Sequence, residues 1–99
     1  MRLTPAQIDT IKSTAQAVLG EGVQATLFGS RVDDTLKGGD VDLMVAVDQA
    51  VAEPALMAAR VASRIERAMD GRKVDVVLKA PNLLELPIHR IAEQEGVRL

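Results

Sequence analysis

The segment 40–47, Asp-Val-Asp-Leu-Met-Val-Ala-Val, constrains this chain more than any other. Its β-branched content and alternation predict a strand with Val41, Leu43, Val45 and Val47 on one face. Asp40 and Asp42 fall together on the other face, their Cα atoms about 6.5 to 7 Å apart. One side of this strand reads as core, yet two like charges share the other. Burying even one unpaired carboxylate costs several kcal/mol, so something must offset the repulsion.

The flanking elements follow from local signals. Thr4 can cap a helix whose first position is Pro5, Gln7 completes a capping box, and Leu3 can staple onto Ile8. Ile8, Ile11, Ala15, Val18 and Leu19 recur at helical spacing up to Gly20, which predicts a helix over 5–19. From Val23 to Phe28 the pattern alternates, with Val23, Ala25 and Leu27 on one side and Gln24, Thr26 and Phe28 on the other. Glu53 and Pro54 open a second long helix in which Met57, Val61, Ile65 and Met69 fall at four-residue steps before Asp70-Gly71. Lys73 to Lys79 makes a third strand, broken by Pro81-Asn82, and a last helix holding Ile88 and Ile91 begins near Leu83 or Pro87 and stops at Gly96. Val97 to Leu99 is too short to classify. The order α-β-turn-β-α-β-α predicts one domain over 1–99, of class α/β or α+β: a small sheet flanked by helices. Periodicity does not fix strand order or direction.

Asp75, flanked by Val74 and Val76, repeats the anomaly of Asp40 and Asp42 on a third strand. Three acids on two apolar strands suggest a site for a hard divalent cation, because Mg²⁺ prefers oxygen ligands and offsets their mutual repulsion. The plainer alternative is that Asp40 is a strand-entry residue after Gly38-Gly39, that Asp42 pairs with Lys73 or Arg72, and that Asp75 faces solvent on a sheet edge. Upstream, Phe28 runs into Gly29-Ser30-Arg31. A glycine there lets a phosphate approach the backbone, and the Ser30 hydroxyl with nearby amides can donate to phosphate oxygens. Gly-Ser, nine intervening residues, then Asp-x-Asp is expected by chance in a chain of this size on the order of once in a thousand.

With Gly29-Ser30-Arg31, Asp40-Val41-Asp42-Leu43, Lys73-Val74-Asp75-Val76-Val77 and the ending Ile91 to Leu99, the chain resembles a minimal nucleotidyltransferase of the DNA polymerase beta superfamily. It is similar in particular to the antitoxin partner of HEPN-type toxins in prokaryotic toxin–antitoxin pairs. The resemblance implies a palm-like fold with a small mixed sheet. It implies that Asp40 and Asp42 bind Mg²⁺, that Asp75 completes the metal site and helps activate the incoming hydroxyl, and that Gly29 with Ser30 holds the β- and γ-phosphates. Arg31 then meets phosphate, holds the carboxylate cluster or makes a surface ion pair. The implied reaction moves AMP from ATP to a tyrosine of the cognate toxin, in a complex of the two proteins. Where many relatives follow Gly-Ser-Arg with a small residue, Arg and Gly, this chain has Val32-Asp33-Asp34, so two acids lie near the expected triphosphate unless they point outward or pair with Arg31 or Lys37.

Composition narrows the alternatives. Twelve basic against fourteen acidic residues give a net charge of −2, and Phe28 is the only aromatic residue. Both argue against a nucleic-acid groove, which needs a basic surface and stacking rings. With Phe28 the one ring able to stack on a base, the nucleotide pocket must be open or finished by another chain. No cysteine is present, which removes thiolate metal sites and cysteine nucleophiles and fits a reducing cytoplasm. The longest apolar run, Leu43 to Val47, is far short of a membrane span, so a soluble, cytoplasmic protein is expected. His89, the lone histidine, has no second ligand at metal spacing and reads as a packing or surface residue. Two other functions compete with the enzyme: neutralisation of the toxin by complex formation alone, with the three aspartates structural, and nucleotidyl transfer to a small molecule.

Overall fold

The computed structural model describes residues 3–29, 41–69 and 71–99. Helix α1, Pro5–Leu19, starts as its capping chemistry dictates: Gln7 N–H donates to Thr4 Oγ1 at 3.1 Å and Thr4 N–H to Gln7 Oε1 at 2.9 Å. Leu3 is buried and Ile8 packs against the same cluster. Strand β1 is Gln24–Phe28, β2 is Val41–Ala46, helix α2 is Pro54–Ala68, β3 is Val74–Lys79, helix α3 is Pro87–Glu95, and β4 is the two-residue Val97–Arg98.

The described strands form one mixed sheet in the order β3-β2-β1-β4. β2 runs antiparallel to β1 and parallel to β3, and α2 makes the crossover that a parallel pair requires. Each strand obeys the period of two. Ala25, Leu27, Val41, Leu43, Val45, Val74 and Leu78 pack with Ile11 and Ala15 of α1 and Val61 and Ile65 of α2 in the main core. Residues of opposite parity therefore look the other way, where α3 crosses the sheet and Ala92 packs with Phe28 and Met44 in a second, smaller cluster.

The tail is ordered by close approach. A side chain at Gly96 would overlap the Ala92 carbonyl oxygen and come within 2.6 Å of Thr26 Cγ2. Glycine lets the chain turn straight from α3 into β4, which pairs Val97 with Leu27 and Arg98 with Thr26. The start of α3 is resolved in favour of Pro87, because His89 Nδ1 accepts the Leu86 N–H at 2.8 Å and so caps the helix.

Candidate active site

The pleat fixes which side chains meet on the face away from α1 and α2. Phe28 is the register partner of Asp42 across β1 and β2, and Asp42 is the register partner of Asp75 across β2 and β3. Neighbouring strands lie about 4.8 Å apart, so the two carboxylates leave the same face from adjacent positions. Asp42 sits on an inner strand and is half-buried, whereas Asp75 stands on edge strand β3 with its side chain 51% exposed. Lys73 Nζ lies 4.0 Å from Asp75 Oδ1, and that lysine is itself mostly exposed. Lys73, which the sequence offers as a partner for Asp42, stands beside Asp75, since residues two apart along an extended chain share a face. Exposure and screening make the pair a weak attraction.

At the end of β1 the chain turns through Gly29, whose φ of +77° belongs to the left-handed region that favours glycine. A Cβ built there would overlap Asp42 Oδ2 and lie 3.3 Å from Asp42 Cγ. The bare backbone that opens the Gly-Ser turn is therefore pressed against one of the predicted metal-binding carboxylates. Gly29, Asp42 and Asp75 form one row across three strand ends. Ser30, Arg31 and Asp40, also predicted for the site, lie outside the described residues, as do Asp33, Asp34 and Lys37. Among the described residues no group of three or more potential metal ligands occurs. Two of the predicted ligands are among them, both oxygen donors, and such a set suits a hard divalent cation.

Phe28 differs from its expected part. It is 6% exposed and locked between Met44 and Ala92, so its ring supports the floor under α3 and does not offer a face to a base. The same packing separates the carboxylate row from a pocket of about 500 Å³ at the far end of the strands, lined among others by Thr26, Ala46, Lys79, Glu93 and Arg98. Lys79 pairs there with Glu93 of α3 and lies 3.9 Å from Glu85. Met44 fits a core position from sequence, but sequence reasoning missed that Phe28 and Ala92 join it, because Phe28 lies on the polar-looking parity of β1 with Gln24 and Thr26.

His89 is 3% exposed and uses both ring nitrogens on backbone: Nδ1 accepts from Leu86 and Nε2–H donates to the Leu78 carbonyl at 2.8 Å. It is a packing residue tied to backbone at both ring nitrogens, far from the role of a base. At the other end of β3, Val74 N–H donates to Glu66 Oε2 at 3.2 Å, so side chains occupy the outward edge of β3 at both ends.

Residues 8–99 match the family model of the nucleotidyltransferase domain. The chain belongs to that family. Comparison with curated proteins finds no match. In this nucleotidyltransferase domain, the mixed sheet flanked by helices brings Gly29 and Asp42 together at one sheet end. No helix among the described residues is long and apolar enough to cross a membrane.

Proposed function

We propose that the domain holds Mg²⁺ with Asp40, Asp42 and Asp75 and transfers AMP from ATP to a tyrosine hydroxyl of a cognate HEPN-type toxin, in the cytoplasm, as the toxin's antitoxin. The observation that carries this reading is the placement of Asp42 between the bare backbone of Gly29 and the half-exposed carboxylate of Asp75.

Gly29 sets its backbone against the Asp42 carboxylate, and Ser30 and Arg31, next in sequence, are the residues that would donate to the oxygens of a β- or γ-phosphate. Mg²⁺, when bound, supplies the positive charge that stabilises the phosphoryl oxygens as negative charge builds on them. Asp75 stands where a second polypeptide can reach it. The incoming hydroxyl oxygen forms a bond to the α-phosphorus, the bond to the bridging oxygen breaks, pyrophosphate leaves, and the hydroxyl proton departs by way of the Asp75 carboxylate. With Phe28 buried, no aromatic side chain stacks on the base. The contacts to the base are left for the acceptor protein to supply.

Incubation with α-labelled ATP, Mg²⁺ and the protein encoded in the adjacent reading frame tests this. Label on a tyrosine of that protein, lost with Asp42→Asn, is the expected result. A stable complex without transfer sinks it in favour of neutralisation by binding, a reading favoured by the exposed Leu84, Leu86, Ile88 and Ile91 around α3.

A further inference from the structure

Arg60, Arg64 and Arg67 follow one another at i, i+4 and i+7 along α2, so their side chains stack on one face over about 10 Å. Val61 and Ile65, each about 100° round the helix from the arginine before it, are fully buried in the main core. The arginines line a shallow outer groove whose floor is Ala59 and Ser63, and Arg67 Nη2 donates to Ser63 Oγ at 3.3 Å. Among the described residues none of the three pairs with a carboxylate. Glu66 is the sole acid in the body of α2, and it is turned away to bond Val74 N–H at the β3 edge.

Three like charges at these spacings oppose formation of the helix that carries them. The helix dipole accounts for Arg67, which sits in the last turn, but not for Arg60 and Arg64 in the middle. The face therefore carries an unmatched charge of +3 on a chain whose net charge is −2. We infer that the outer face of α2 is a docking surface for an acidic helical segment of a partner protein.

The complementarity points to carboxylates on a helix. A guanidinium takes a carboxylate or a phosphate in a two-point grip, so charge alone admits a peptide or a nucleic acid. A polynucleotide is disfavoured by the overall negative charge and by the burial of the only aromatic ring, Phe28, on the opposite side of the sheet. Carboxylates at i, i+4 and i+7 of a second helix match the arginine spacing, and the small Ala59 and Ser63 leave room for that helix to lie close. The surface is independent of the carboxylate row, since α2 covers the other face of the sheet.

The test is an amide-resolved NMR titration of the full chain with an alanine-based helical peptide of about 16 residues carrying glutamates at i, i+4 and i+7. Shifts confined to residues 59–67, weakened about tenfold between about 0.05 and 0.5 M NaCl, are expected. A glutamine version of the peptide, and the triple variant Arg60→Gln, Arg64→Gln, Arg67→Gln with its helix content checked by circular dichroism, should both abolish them. Equal shifts from the glutamine peptide, or none in α2, overturn the inference. So does a single-stranded RNA of about 12 nucleotides that shifts the same amides at lower concentration than the peptide, which assigns the face to nucleic acid.

Discussion

The carboxylate of Asp42 lies directly against the backbone of Gly29, leaving no room for a Cβ between them. Two residues thirteen apart in sequence are thereby fixed to each other at the point where the chemistry is expected.

Replacing Gly29 with alanine should accordingly cost more than its backbone angle alone. Gly22 is the control, because its φ of +84° is similar and a Cβ there meets open space. Gly22→Ala should cost about 1 to 2 kcal/mol of left-handed strain. Gly29→Ala should melt at least about 5 °C below Gly22→Ala, the shift that about 1 kcal/mol produces in a domain of this size. Equal melting temperatures would contradict the packing described.

Asp75→Asn should separate folding from metal binding. Asp75 stands across from Asp42 on the neighbouring strand and its ion pair with Lys73 is exposed and weak, so removing its charge should change the stability of the metal-free protein by less than about 1 kcal/mol in either direction. The rise in melting temperature that Mg²⁺ plus an unhydrolysable ATP analogue gives the parent should disappear. Retention of that rise in the variant would remove Asp75 from the site.

His89→Ala should destabilise the protein by about 2 to 3 kcal/mol, because it leaves the Leu78 carbonyl and the Leu86 N–H without their partner. Urea denaturation measures this. A variant as stable as the parent but inactive would show that His89 belongs to the chemistry.

Asn82 grips Val51 with both ends of its amide, Nδ2 donating to the Val51 carbonyl at 2.8 Å and Oδ1 accepting the Val51 N–H at 3.0 Å. Asn82→Ala should lower stability by about 1 to 2 kcal/mol. Amide exchange at Val51 should speed up by the same free energy, and unchanged exchange would show that the two loops are held by something else.

What was legible in the sequence is what local chemistry decides. The bounds of α1 follow from Thr4, Pro5, Gln7 and Gly20, and the faces of β1 and β2 from strict alternation, since capping and pleat are properties of a few neighbouring residues. Strand order was not legible, because alternation says which way a side chain points and not which strand lies beside it. β4 depends on Gly96 fitting between Ala92 and Thr26, a contact made only after α3 has docked. Phe28 read as an available ring because its burial is supplied by Ala92 from the far end of the chain. Of the predicted site, Gly29, Asp42 and Asp75 are brought into one row, while Ser30, Arg31 and Asp40 fall outside the described residues.

Paramagnetic broadening by Mn²⁺, a substitute for Mg²⁺ with the same preference for oxygen ligands, tests the central claim most directly. Substoichiometric Mn²⁺ added with an unhydrolysable ATP analogue should selectively erase the amide signals of Gly29, Asp42 and Asp75 and spare the Lys79–Glu93 end of the sheet, and Asp42→Asn should restore them. Broadening that spreads evenly over the surface acids, or that centres on another part of the chain, would contradict the account.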